Sequence, residues 1–521
     1  MTEPKTPMPE RAKLAATKPG PLVAWTLMML IVAWLALINI IGRSYIEDDA
    51  FIHLEYARSV AHGQGFSFNG RISYGDTSPA WVAILAVAWR LMGDWILTAK
   101  ALAVVTAIFS LGVVGWFATQ PLYASKTTAF ASPRSTAFFT VCLGLATNPY
   151  FTFWSTSGME AVAAGGCIIL AVHLCLTATR ATSRSLALLL VGALPLLRPE
   201  AILFLPFVAC ARGYVHFRSI TGGSTTARAG IAQWIGECLL LAIPVLCWSA
   251  YAFSSFGTVE PNTNAAKRIV GGHGTVLRLL SVYVVGFGIA AAGFAAAWWF
   301  GKRVRQPARA QPLAHPSGLT GGSLPVAVLV AATLAIQAFY VVNNTAVQTR
   351  YALVWGSVLY ACAAHELIRL YASGGWRPVR AVIAATVIAQ TTFTGVVTLP
   401  YLAGKAAGVL AQRTAYAAAV QLIPRDSPIA IYAIGQFAFE TQHPLVDTGG
   451  ITDVDVVRHF GDTKATLAWA RARGADYYLG GTSWAGRELG RWNVPSPRWS
   501  LDPRKASVPD VLLLTTLDEQ P

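Results

Sequence analysis

Apolar residues run along this chain in blocks long enough to cross a bilayer. A spanning helix needs about 20 mostly apolar residues. Runs of that kind fall at 22–42, 98–118, 135–153, 160–178, 230–253, 276–300, 324–346, 350–370 and 380–401. A further run, 186–211, is broken at Arg198-Pro199-Glu200, which predicts two short helices meeting at a polar elbow. The stretch 79–93 is shorter and carries Arg90, so it is expected to enter the membrane without crossing. From about residue 402 the pattern changes to short elements. Strands are expected at 429–435, 444–447, 477–480 and 511–515, with an amphipathic helix at 464–473. Alternating strand and helix predicts a small α/β domain.

Basic residues orient these runs, because Lys and Arg collect in cytoplasmic loops. They fall at 1–20, at Lys126 and Arg134, at Arg180 and Arg184, and at Arg212, Arg218 and Arg228. Further groups are Lys302, Arg303, Arg305 and Arg309, and then Arg377 and Arg380. All can be cytoplasmic together in a topology of about eleven crossings. The N-terminus is then inside and the C-terminus outside. Residues 22–42 read as a retained first helix and not as a cleaved signal peptide, since the run is long and no small-residue cleavage site follows. The loop 303–323, rich in Arg, Gln, Pro, Gly and Ser, reads as a cytoplasmic linker. Four polar segments, 43–78, 155–160, 254–275 and 343–350, are left on the outer face with the elbow at Arg198.

Composition agrees with a lipid environment. Of 521 residues, 54% are hydrophobic and 12% charged, and the mean hydropathy is +0.49. A soluble chain carries about a quarter charged residues. The net charge of +15 would suggest nucleic acid on a soluble protein. Here residues 1–401 hold 28 Lys and Arg against 13 Asp and Glu, while 402–521 hold 12 of each. The excess therefore belongs to the membranous part and reports topology; no nucleic-acid partner is expected. All seven cysteines lie in apolar stretches, where Cys behaves as a small hydrophobe.

Few polar residues remain to carry chemistry. Glu47-Asp48-Asp49 follows the first apolar run and opens a stretch of helical periodicity through Phe51, Ile52, Leu54, Tyr56 and Ala57. An Asp here can serve as a general base at the water–lipid boundary, or simply cap a surface helix. Glu160 opens a helix on the same side, as a reactive carboxylate or as a favourable partner of the helix dipole. Arg198 and Glu200 interrupt an apolar run, and ionisable residues at membrane depth are functional candidates. The alternative is an internal pair that holds the elbow. Lys267 and Arg268 in the loop 254–275, and Arg350 beside Tyr351, can bind phosphate or touch lipid headgroups. His173, Glu237, His365 and Glu366 are isolated and read as hydrogen-bonding residues of the bundle. There is no Walker loop, no GxGxxG after a strand, no HExxH and no paired CxxC. Nothing thus points to a soluble nucleotide, and a lipid-borne phosphate is the better energy source.

The order of these blocks is similar to that of GT-C fold glycosyltransferases, polytopic enzymes that use polyprenyl-phosphate sugars. The likeness is strongest to the bacterial branch containing the arabinofuranosyltransferases. Asp48-Asp49-Ala-Phe-Ile, Tyr56-Ala-Arg58, Gly63-Gln-Gly65-Phe, Phe68-Asn69-Gly70, Thr77-Ser-Pro79 and Trp81 resemble the first outer loop. Ser157-Gly-Met-Glu160, Leu197-Arg-Pro-Glu200, Phe256-Gly, Pro261-Asn-Thr, Ala266-Lys267 and Arg350-Tyr351-Ala resemble later blocks. Gly435 with Pro444-Leu-Val-Asp447-Thr-Gly-Gly450-Ile resembles the outer-domain pattern. Asp76-Thr-Ser-Pro departs from the Tyr-Thr-Asn run of many relatives, which bears on sugar or acceptor identity.

The resemblance implies a polytopic membrane module over 1–401, with a first periplasmic loop 43–78, and a periplasmic α/β domain over 402–521. It implies inverting sugar transfer at the periplasmic face of the bacterial inner membrane. The donor would be a polyprenyl-phosphate sugar, such as an arabinofuranose donor, and the acceptor a cell-envelope glycan, lipid or protein. Asp48 would be the base, and Asp49 and Glu160 would orient the acceptor or sugar. Arg198, Lys267 and Arg350 would neutralise the leaving phosphate. Tyr56, Arg58, Glu200 and Asn262 would bind substrate. No cofactor is implied; relatives with monophosphate donors often need no metal, and no ligand-spaced cluster is present. A polytopic transporter or lipid-linked sugar flippase is the alternative class, which would favour internal repeats and helices broken at the bilayer midplane.

Overall fold

The computed structural model describes residues 21–122, 133–264, 275–304, 323–345, 347–371, 376–481, 486–497 and 508–517. The basic segment 1–20, Lys126, Lys267, Arg268 and most of the linker expected at 303–323 lie outside the described residues.

The membrane module is built of helices. In chain order they are α1 (Pro21–Ile41), α2 (Asp48–Ala61), α3 (Pro79–Met92), α4 (Trp95–Ala118), α5 (Pro133–Ala146), α6 (Pro149–Trp154), α7 (Ala161–Thr177) and α8 (Ala181–Ala193). Then follow α9 (Phe204–Thr221), α10 (Ala227–Phe256), α11 (Thr275–Val304), α12 (Ser323–Val342), α13 (Thr349–Tyr371), α14 (Trp376–Phe393) and α15 (Leu399–Ala419). A small hairpin, β1 (Ser67–Phe68) and β2 (Arg71–Ile72), lies between α2 and α3. Eight helical stretches among the described residues are long and apolar enough to cross a membrane, and four shorter apolar helices accompany them. Together they form a polytopic helical bundle. Its centre is α13, buried over most of its length and packed against α4, α7, α11 and α12.

Local chemistry sets where these helices stop. The run expected as one crossing at 135–153 is divided because Asn148 accepts from the Tyr150 amide at 3.0 Å and starts α6, with Pro149 behind it. At 14 residues α3 is about 21 Å long, shorter than a bilayer core of about 30 Å. It ends at Gly93, whose φ of 74° suits glycine, and Asp94 caps α4 through the Leu97 amide at 2.7 Å. The elbow at Arg198 exists: α8 passes into two short 3-10 turns, Leu194–Leu196 and Pro199–Leu203, before α9.

The composition boundary at 401/402 falls inside helix. A π-helical turn at Thr394–Thr398 joins α14 to α15, which continues to Ala419. The sheet of the tail begins at β3 (Ile429–Ile431) and continues with β4 (Leu445–Asp447), β5 (Tyr477–Gly480), β6 (Glu488–Ser496) and β7 (Val508–Thr516). Its order is β4-β3-β5-β7-β6. The first three strands are parallel, while β7 and β6 add antiparallel. The strand expected over 429–435 is shorter because the chain turns at Tyr432 into α16 (Ile434–Thr441). The amphipathic helix α17 (Thr463–Ala472) agrees with expectation. Strand β6 was not expected; its Gly490 and Pro495 are poor strand residues that an edge tolerates.

Helix α16 docks the tail onto α2. Phe51 and Phe439 meet with ring centroids 5.5 Å apart. Gly435 approaches so closely that a Cβ there would lie 2.0 Å from the Asp48 carbonyl oxygen. Gly435→Ala is therefore expected to loosen this contact at a cost of about 1–3 kcal/mol. Thermal unfolding in detergent and limited proteolysis of the tail measure it. A tail as resistant as the wild type would count against the contact.

Candidate active site

The four outer polar segments converge. The Glu47 amide donates to the Ser157 carbonyl at 3.1 Å, and the Asn262 amide to the Tyr74 carbonyl at 2.8 Å. Arg278 reaches the Val347 carbonyl at 3.0 Å. On α4, the Lys100 ammonium donates to the carbonyls of Gly42 and Thr156, each at 2.8 Å, and to that of Tyr45. One cation thus ties the approach to α2 to the approach to α7, the two helices that begin at Asp48 and just after Glu160.

Between these segments lies a cavity of about 370 Å³ lined by Asp48, Asp49, His53, Asp76, Glu160, Arg198 and Arg350, among others. Five of the residues expected from the sequence, Asp48, Asp49, Glu160, Arg198 and Arg350, are therefore brought together. Arg350 is 5% exposed and ion-paired with Asp49. Arg198 is 4% exposed, with its Nε 3.1 Å from Glu160 Oε1. Both guanidinium groups stand near the Tyr351 ring, at 5.1 Å for Arg198 and 5.5 Å for Arg350. Buried charges are tolerated only when paired, and these are. Yet Arg198 Nη2 and Arg350 Nε have no hydrogen-bond partner among the described residues. Two buried guanidinium groups therefore keep donor capacity in one cavity.

Asp48 is held differently. Its carboxylate accepts the amides of Gln436 at 2.9 Å and Gly435 at 3.2 Å, at the N-terminal end of α16. Burial pushes the carboxyl up to about 7; the Gln436 amide opposes the shift and the charge of Asp49 adds to it.

His53 and Asp76, not among the expected site residues, also line the cavity. His53 Nδ1 lies 2.5 Å from Asp76 Oδ2, and its Nε2 lies 3.1 Å from Glu160 Oε2. Asp76 Oδ1 also accepts the Ser78 amide at 2.6 Å. A chain of alternating charge thus runs Asp76, His53, Glu160, Arg198. The i, i+4 spacing from Asp49 puts His53 on the same helical face and was the available signal. Asp76 stood out only as the start of the Asp-Thr-Ser-Pro departure, a run that also reads as a helix start.

The other expected substrate residues lie elsewhere. Tyr56 is fully buried, with its hydroxyl 2.8 Å from Ser73 Oγ and accepting the Gly75 amide at 3.0 Å, so it holds the loop. Arg58 is about 180° around α2 from Asp49. It pairs with Glu55 and lies 4.6 Å over the Phe439 ring, facing a separate groove that includes Arg413 and Glu440. Glu200 sits in the 3-10 turn after Arg198 and does not line the cavity. Asn262 binds Tyr74 and, through Nδ2, the Thr452 carbonyl at 3.4 Å; its neighbour Thr263 lines the cavity. Lys267 is outside the described residues. Glu237 gathers Arg184, Arg212 and His216 at 2.7–3.0 Å, as a bundle residue. Among the described residues no three His, Cys, Asp or Glu side chains are grouped to hold a metal ion.

No protein-family model matches the chain, and no curated protein does. Its architecture is nonetheless that of the GT-C class of polytopic membrane glycosyltransferases. ArnT from Cupriavidus metallidurans, solved bound to undecaprenyl phosphate and in the apo state, is similar with a TM-score of 0.54 in each case. The match has 13% identity and covers 93% of this chain and 97% of that one. Arabinosyltransferase EmbB from Mycobacterium smegmatis is similar at 12% identity, over 95% of this chain and 46% of its own, with a TM-score of 0.41.

The His53 cluster generates a test. Burial disfavours its charge, but the carboxylate of Asp76, followed by that of Glu160, raises the imidazolium to a pKa of about 10. A raised basic group stabilises the fold fully below its unfolded value of about 6.5. That contribution is lost as pH rises through about 10. Melting temperature is therefore expected to fall between these limits in the wild type and to fall less in His53→Gln. Equal slopes would contradict the assignment.

Proposed function

We propose that this chain is an inverting glycosyltransferase that draws on a polyprenyl-phosphate sugar. The observation that carries the reading is the pair Arg198 and Arg350, buried with unfilled donor positions in the cavity that holds Asp48 and Asp49. A dianionic leaving group meets two planar donors there, in a setting of low dielectric.

The reaction follows from those positions. Asp48, poised near neutrality, takes the proton of an acceptor hydroxyl as that oxygen attacks the anomeric carbon. The bond from that carbon to the phosphate oxygen breaks with inversion. The electron pair leaves on the polyprenyl phosphate, where Arg198 and Arg350 stabilise the added charge. Asp49 keeps Arg350 in place, and Glu160 does the same for Arg198. Lys267 adds a third cation by its place in the outer loop. Tyr56 and Asn262 support this machinery by holding the loops. The donor sugar is a pentose such as arabinofuranose, and the acceptor an envelope glycan, lipid or protein.

Sidedness is part of the proposal. Helix α7 starts at the cavity and α9 starts just after Arg198, so Arg180, Arg184, Arg212 and Arg218 stand toward the remote ends. Positive charge marks that end as cytoplasmic. The cavity and the tail from about residue 402 then face the periplasm of a bacterial inner membrane, with the N-terminus in the cytoplasm.

Two predictions test this. Asp48→Asn keeps an oxygen for the Gln436 amide and should fold, while sugar transfer in liposomes falls about 10²–10⁴-fold. In the wild type, kcat/KM should rise with pH through about 7, as Asp48 loses its proton. Full activity in the variant would remove Asp48 as the base. Separately, Arg198→Ala and Arg350→Ala should each weaken polyprenyl-phosphate binding about 10–100-fold. Unchanged binding in both would remove the phosphate site. Mass spectrometry of envelope glycans from a deletion strain would identify sugar and acceptor together.

A further inference from the structure

The lining of the cavity is divided by origin. Its charged residues come from the membrane module, whereas the tail supplies Tyr432, Ala433, Gly449, Ile451 and Phe460. The cavity is therefore ionic on one side and apolar on the other. A sugar ring has the same division: its C–H faces are apolar and its hydroxyl edge polar.

Tyr432 stands out within the tail. It is 61% exposed, and from Ile429 onward it is the one exposed aromatic among the described residues. An aromatic left open to water forgoes the burial that usually stabilises such residues. Its hydroxyl forms no hydrogen bond to any described residue. Its backbone, in contrast, is fixed. It follows directly on β3, and three residues later the amide of Gly435 is bound to Asp48. The ring is thus carried by the same short turn that holds the proposed base.

We infer that Tyr432 is the stacking platform for the acceptor sugar, its ring placing a hydroxyl against Asp48. This rests on the glycosyltransferase reading of the cavity. The acceptor, and not the donor, is assigned to this side. The donor phosphate is claimed by Arg198 and Arg350 of the membrane module, whereas the opposite wall comes from the tail. Phe460 and Ile451 complete an apolar surface that tolerates different sugars, while the carboxylates select the hydroxyl. Tyr432 is accordingly a residue of acceptor specificity that takes no part in bond making.

The test uses the full chain in liposomes, with polyprenyl-phosphate sugars extracted from host membranes and oligosaccharide fragments of the host envelope. Tyr432→Ala should raise the acceptor KM about tenfold, with donor KM and kcat close to the wild type. Tyr432→Phe and Tyr432→Trp should restore the acceptor KM, since each keeps a flat face. Thermal unfolding of all three shows whether the tail stays docked. An unchanged acceptor KM in Tyr432→Ala, a rise in donor KM instead, or no rescue by Phe in a folded variant would each overturn the platform alone. A wild type that transfers no sugar would overturn it together with the reading on which it rests.

Discussion

A carboxylate held between two modules organises this protein. Asp48 begins α2 in the membrane module, yet its oxygens accept amides from α16 in the tail. A helix N-terminus is a natural seat for an anion, so the two amides favour the charged carboxylate, although burial outweighs them. The contact also buries Asp48, and burial, with the charge of neighbouring Asp49, raises its proton affinity. The same geometry therefore docks the tail and gives the carboxyl a protonation equilibrium useful near neutrality. Separate the tail and both effects go together.

The charges around it follow a second logic. Asp49 is matched with Arg350, and Glu160 with Arg198 and His53. Each buried ion has an opposite neighbour, which a low-dielectric site requires. The pairing is incomplete only in geometry: donor atoms on both arginines have no hydrogen-bond partner among the described residues. In the proposed reaction, a phosphate joining them would add hydrogen bonds without stripping the carboxylates of theirs. Lys100 gives this arrangement rigidity by clamping the carbonyls of Gly42, Tyr45 and Thr156.

Much of this was legible in the sequence, for a physical reason. Lipid excludes charge, so an ionisable residue at the end of an apolar run is conspicuous, and Asp48, Asp49, Glu160, Arg198 and Arg350 were visible in that way. The apolar runs gave the helices, although α5 ends early at the Asn148 cap, and the break at 401/402 marked a change of composition inside one helical stretch. What could not be read were contacts set by docking. His53 finds Glu160 only once α2 and α7 are packed, and Tyr432 reaches the cavity from nearly 400 positions away in the chain. Tyr56 and Arg58 are placed away from the cavity lining. Both belong to a suggestive block, but one is consumed by its own loop and the other lies on the far side of α2.

The close approach at Gly435 has a consequence for how such a chain changes over generations. The tail is compact, with its own sheet, and looks like a part to be exchanged between proteins. Its docking helix, however, meets α2 through a position where no side chain fits and through amides aimed at one particular acid. A replacement tail must arrive with that glycine and that turn already in place. Divergence in the two modules is thereby tied together, and change is easiest in the residues around the turn while its backbone is inherited intact.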